Sequence, residues 1–154
     1  MKVLLLIASL CLILSSVTAY HKFAEPQFRS SEGVFEYVMN GNHQIYILFI
    51  YNGNWAPNDM HNPMRSKYDL ERRDLLKVIE RYGRDVHFSE IDVSSGDFTS
   101  LLQEAGISSA DLDSNPITLV IDDGHGFWVQ GPREYSKVAK IINEFVEDPD
   151  THRY

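Results

Sequence analysis

The stretch Ile45-Tyr46-Ile47-Leu48-Phe49-Ile50-Tyr51 decides the fold. It is continuously apolar or aromatic, short, and bounded by Asn52-Gly53. Such a run reads as a strand covered on both faces rather than as a helix. Asn52 to His61 then reads as a turn. Asn62 can cap a long helix with Pro63 at its first position, where the missing N–H costs nothing. Ser66 is a second candidate start, with Asp69 at capping-box spacing. Leu75, Val78, Ile79 and Tyr82 recur at helical steps and mark the apolar side, and Gly83 is the expected stop.

Working outward, Ser30 or Ser31 can cap a helix running to about Met39, with Val34, Phe35 and Val38 on one face. Asn40-Gly41-Asn42 can end it. Val86 to Val93 reads as the next strand, and Ser95-Gly96-Asp97 as a turn into a short helix carrying Phe98, Leu101 and Leu102. Gly106 closes that helix, and Ile107 to Ser114, rich in Ser and Asp, reads as a loop. Pro116 to Ile121 is a strand, Asp123-Gly124 a hairpin signal, and Phe127 to Gln130 the return strand. Gly131-Pro132 breaks it, and Val138, Ile141, Ile142 and Phe145 form the inner face of a last helix. Helices alternating with strands and a closing hairpin predict an α/β fold: a mixed central sheet with helices on both faces.

At 154 residues the chain is expected to form one folded domain. Its net charge of −8, with no basic run or stripe, argues against nucleic acid as a partner. The single cysteine, Cys11, precedes the folded part. From Tyr20 onward there is no dithiol, internal disulfide or thiolate metal site to be made. Met1 to Ala19 combines Lys2, an apolar run from Val3 to Leu14 and Val17-Thr18-Ala19, the pattern of a signal peptide cleaved before Tyr20. The alternative is an uncleaved membrane anchor, with residues 3–19 in contact with the bilayer. Residues 20–29 form a linker, 30–147 the domain, and 148–154 a polar tail.

The residues of this order resemble the thioredoxin superfamily, in its thioredoxin and protein disulfide isomerase-like form, over about Ser30 to Val146. Trp55-Ala56-Pro57 resembles the aromatic-Ala-Pro before the family's active turn. Glu90-Ile91-Asp92 resembles the next strand, Pro116 the cis-proline, and Gly131-Pro132-Arg133 the Gly-x-Arg before the last helix. The resemblance implies a thioredoxin-like three-layer α/β/α architecture. Aligned on Trp55, Ala56 and Pro57, Asn58 stands at the family's Trp, and Asp59, Met60, His61 and Asn62 stand at the active turn. Both cysteine positions therefore lack sulfur. The family's buried carboxylate matches Gly53. A thiolate at the helix N-terminus and a resolving thiol three residues on are what dithiol exchange requires. Nucleophile, resolving thiol and base are all missing.

No other constellation supplies chemistry. The histidines at 21, 43, 61, 87, 125 and 152 have no i,i+4 pairing, so no metal or cofactor is expected. Asp59 reads as a helix-cap aid and His61 as solvated. Asp122 and Asp123 read as turn residues. Ser94-Ser95-Gly96 lacks the lysine of a phosphate loop, and no Gly-x-Ser-x-Gly occurs. Trp55, Trp128 and Tyr51 read first as packing residues and second as partner anchors. The expected function is that of a redox-inactive, non-enzymatic binder of other proteins. It would be an accessory subunit of a larger, membrane-bound assembly such as a mitochondrial respiratory complex. The alternative is a luminal or secreted chaperone-like relative of disulfide isomerases, although His152-Arg153-Tyr154 is no retention signal.

Overall fold

The computed structural model describes residues 27–39, 44–54, 62–83, 86–131 and 134–147. Helix α1 spans Ser31–Met39, β1 Ile45–Tyr51, α2 Pro63–Tyr82 and β2 Val86–Asp92. After a 3-10 turn at Val93–Ser95 come α3 (Thr99–Glu104), α4 (Ser109–Leu112), β3 (Ile117–Asp122), β4 (His125–Gln130) and α5 (Glu134–Glu147). The sheet order is β2-β1-β3-β4. β1 runs parallel to β2 and antiparallel to β3, and β3 runs antiparallel to β4. The sheet is mixed, as its connections predict.

β1 is interior in the sheet and covered on both faces. Ile47, Leu48, Phe49 and Ile50 are fully buried. Its alternate residues enter two separate cores. Tyr46, Leu48 and Ile50 meet Val34 and Val38 of α1 and Leu101 of α3. Ile45, Ile47 and Phe49 meet Leu75, Val78 and Ile79 of α2 and Val138, Ile142 and Phe145 of α5. This period of two explains the unbroken apolar run: neither set of side chains reaches water.

The helix ends follow from local chemistry. The Asn62 side chain accepts from the Met64 N–H at 2.9 Å, and Pro63 is the first helical residue. Gly83, at φ 65°, ends α2 with its N–H on the Ile79 carbonyl. The Ser30 hydroxyl accepts from the Gly33 N–H, so Ser30 rather than Ser31 caps α1. Ser31 is buried and instead accepts from Leu101 N at 3.1 Å, joining α1 to α3.

Three local expectations are corrected. Val93 leaves the strand, because the Asp92 carboxylate accepts from Ser94 N and curls the chain into a 3-10 turn. The segment read as a loop contains α4, one turn held by a capping box. Ser108 accepts from Asp111 N, the Asp111 carboxylate accepts from Ser108 N, and Leu112 anchors the turn in the core. Asn115–Pro116, matched to the family's cis-proline, is trans, since no cis peptide bond occurs among the described residues. Trans is the favoured isomer for most X–Pro bonds. The leader or anchor over residues 1–19, the turn residues 55–61, most of the 20–29 linker and the 148–154 tail lie outside the described residues. Among the described residues no helix is long and apolar enough to cross a membrane.

Candidate functional site

The thioredoxin resemblance places the site at the C-terminal end of β1. Tyr51, Asn52, Gly53, Asn54, Asn62 and Pro116 of that site are described. Trp55, Ala56, Pro57, Asn58, Asp59, Met60 and His61 lie outside the described residues. The Asn52 side chain folds back to accept from Asn54 N at 3.3 Å, which starts the turn. Gly53 donates its N–H to Asp92 Oδ1 at 2.8 Å. The same oxygen accepts from Ser94 N at 2.9 Å and from the Ser94 hydroxyl at 2.7 Å.

A carboxylate therefore does stand at this end of the sheet, but β2 supplies it. A Cβ on Gly53 would lie 2.6 Å from Asp92 Cγ, 2.7 Å from Oδ1 and closer still to Oδ2. Gly53 cannot gain a side chain while Asp92 stays where it is. Asp92 is committed to holding backbone, with three donors on one oxygen, which is a structural use of a carboxylate.

The other side of the site is equally occupied. Asn62, which the sequence resemblance matches to the family's second cysteine, has its side-chain oxygen used on the Met64 N–H. Pro116 is buried. Just before it, the Ser114 carbonyl accepts from Lys67 Nζ at 2.9 Å, and the Asn115 carbonyl accepts from Gln130 Nε2 at 3.0 Å. Gln130 also reaches the Asp111 carbonyl at 2.7 Å, tying α4 to β4.

At the same end of the sheet, between α2 and β2, lies a polar cluster that the sequence reading did not single out. Tyr68 donates its hydroxyl to Glu90 at 2.6 Å, and Arg72 Nε donates to the other Glu90 oxygen at 2.8 Å. The Tyr51 and Tyr68 rings lie 4.6 Å apart. Burial, the hydrogen bond to Glu90 and its negative charge all push the Tyr68 phenol well above its ordinary value. This phenol stays protonated and acts as a fixed donor. The signal was available: Tyr68 and Arg72 are i,i+4 on α2, and Glu90 occupies the inward side of β2 in register with Val86 and Phe88.

A second buried acid group bridges the layers. Glu134, the first residue of α5, is 1% exposed. One of its oxygens takes a short hydrogen bond from the Thr118 hydroxyl on β3. The other is buried without a hydrogen-bond partner among the described residues, as is Oε2 of Glu71 on α2. Burial pushes Glu134 up to about 8; the nearby Glu71 charge adds to this, while Thr118 and Lys137 oppose it. Burial likewise pushes Glu71 up to about 7, with Lys67 opposing. Two carboxyl groups so placed hold protons near neutral pH.

The two described histidines do not converge. His87 is half-buried and stacked on Tyr46 at 5.3 Å. His125 is exposed on β4. The other four lie outside the described residues. Among the described residues no three His, Cys, Asp or Glu side chains are grouped to hold a metal. Tyr51 is half-buried and packs on the core between the sheet, α2 and α5, whereas Trp128 is 41% exposed on β4.

No protein-family model and no curated protein sequence matches the chain. Solved structures do. A reduced thioredoxin pre-protein from Schistosoma mansoni superposes with a TM-score of 0.56 at 14% identity, over 80% of this chain and 98% of that one. Thioredoxin from Trypanosoma brucei brucei gives 0.56 at 10% identity, over 80% and 91%. Mitochondrial thioredoxin 3 from Saccharomyces cerevisiae gives 0.52 at 16% identity, over 79% and 97%. At such identities the likeness is one of fold, and the chain has the thioredoxin fold.

Proposed function

We propose that this chain is a redox-inactive thioredoxin-fold protein that works by binding other proteins, as an accessory subunit of a larger assembly. The observation that carries this reading is the rebuilt end of the sheet. No cysteine follows Cys11. The volume above Gly53 is filled by a carboxylate anchored to backbone N–H groups. The helix-start side chain at Asn62 is spent on capping. Of the positions that dithiol exchange would use, the two that are described support this reading: Asn62 caps a helix, and Gly53 packs against a carboxylate that holds backbone.

The alternative, a chaperone-like capture of extended chains beside Pro116, receives less support. Pro116 is buried and the two carbonyls before it already accept hydrogen bonds from Lys67 and Gln130. A peptide laid there would have to displace both.

Two measurements test the reading. Insulin reduction with dithiothreitol as the electron source should proceed no faster with the protein than with buffer. Sedimentation of the protein from its native source should place it in an assembly several times its own mass of 17.7 kDa. A free monomer there would remove the accessory role, and catalysed reduction would remove the redox-inactive one. The intact mass from the same source settles the destination. A chain starting at Tyr20 belongs to the secretory route, and one retaining residues 1–19 to a membrane-bound assembly, the mitochondrial inner membrane included.

A further inference from the structure

The sheet has a second end. β1 begins at Ile45, opposite Asp122 of β3, and finishes at Tyr51 beside the degenerate turn. The β3–β4 hairpin is therefore about 20 Å from that turn, at about 3.3 Å per residue along β1. Here a half-open groove of about 490 Å³ lies between α1, α3 and the hairpin. Phe35 and Met39 of α1 and Leu101 of α3 form its walls, and Leu119 and Ile121 of β3 its floor.

Two glycines line the groove on its hairpin side. Gly126 faces the floor, where a Cβ would stand 3.3 Å from Leu119 Cδ1 and 3.6 Å from Ile121 Cγ1. Gly124, at the hairpin tip, approaches Met39, whose sulfur would be 3.8 Å from a Cβ there. Met39 is 72% exposed at the mouth of the groove. Among the described lining residues one carries a charge, Glu104, and it is exposed.

We infer that this groove is the docking site for an amphipathic helix of another protein, seating aliphatic side chains between α1 and the hairpin and setting a Lys or Arg against Glu104. The inference rests on the binding function proposed above and gives it a place. The charge chooses the occupant. The chain carries −8 and the groove's own charge is negative, so a cationic partner is attracted and a second copy is repelled. The shape agrees: a half-open apolar groove is what aliphatic anchors at i, i+3, i+4 and i+7 fill.

The test uses the full chain, 15N-labelled, and two blocked 14-residue helical probes. One carries leucines at i, i+3, i+4 and i+7 with lysines on the opposite side; its twin has glutamates for the lysines. The lysine probe should shift the amides of Met39, Glu104, Gly124 and Gly126, and should bind about tenfold or more tightly than its twin. Met39→Asp should abolish those shifts without lowering the melting temperature, since the side chain is exposed. Glu104→Lys, also at the surface, should weaken the lysine probe by about threefold to tenfold and strengthen the glutamate twin. Absence of binding by the lysine probe overturns the inference. So do shifts confined to Asn52, Asn54, Asn62 and Ile117, which would leave the binding function standing at the other end of the sheet. A dimer dissolved by Met39→Asp would make a second copy the occupant and overturn it as well. The binding function itself fails separately, through a free monomer in the native source.

Discussion

Gly53 and Asp92 occupy one volume between them. Adding a methyl at 53 drives a Cβ into the carboxylate, so Gly53→Ala should destabilise the fold by about 1–3 kcal/mol. In an Asp92→Ala background the space is free, and the same substitution should cost markedly less. Denaturant melts of the two single variants and the double variant would read this as non-additivity, the mark of groups in contact. Glu134 makes a second prediction at this scale. Its ordinary value is 4.5 and its folded value about 8, so the folded state keeps a proton that the unfolded chain releases. The contribution to stability is fully present below pH 4.5 and is lost as pH rises to about 8, with Glu71, at about 7, acting in the same direction. Glu134→Gln imitates the protonated acid. It should leave stability at pH 4 nearly unchanged and raise it at pH 8.5 by about 2 kcal/mol or more. Thermal melts across that range would show it. Gly53 was matched to the family's buried carboxylate, but neither its contact with Asp92 nor the burial of Glu134 could be read beforehand. At position 53 the sequence alone reads as a lost carboxylate, and only with β2 beside it does Asp92 fill that space. Glu134 looks like a helix-start acid, and only packing against Thr118 takes it from water.

At the scale of elements, the caps were the most legible feature. The Asn62-Pro63 start and the Gly83 stop of α2 occur as read, because each depends on a side chain or backbone preference within three residues. Asn62→Ala should cost about 1 kcal/mol, measurable as a lower urea midpoint at unchanged slope. The antiparallel hairpin was legible for the same reason: Asp123 and Gly124 both take positive φ, as a primed turn demands. The one-turn helix α4 was not. Its Ser and Asp residues are loop-formers by composition, and what makes it helical is Leu112 reaching a core built by distant strands. The Tyr68–Arg72–Glu90 cluster was hidden similarly, since two elements far apart in sequence had to meet. Gly53, Asn62 and Pro116 were matched to the family from the sequence, but what these described residues do could be read only once β2, α2 and the segment before Pro116 were assembled.

For the whole molecule, charge and proton binding pull apart. The sequence pI is about 5.1. Solubility should therefore pass through a minimum near pH 5, whereas the buried acid pair favours the folded state more there than at pH 8. Light scattering and melting temperature followed together should show the two trends crossing: cloudiest where the Glu71–Glu134 pair costs least. The division into two cores has its own meaning at this scale. Each face of the sheet has its own helices, and the two ends of the sheet carry different surfaces, a rebuilt turn at one and an open groove at the other.

Strand β1 links them. Its amides from Tyr46 to Ile50 lie between two neighbouring strands and beneath two apolar layers. Partial opening at either end does not expose them, so they are expected to trade protons for deuterons only when the entire chain unfolds. A ligand held at any site of the native state slows that event by mass action, whatever its distance. Deuterium uptake in this one segment would thus act as a gauge of occupancy for the molecule as a whole, able to register a partner before anyone knows which end it holds.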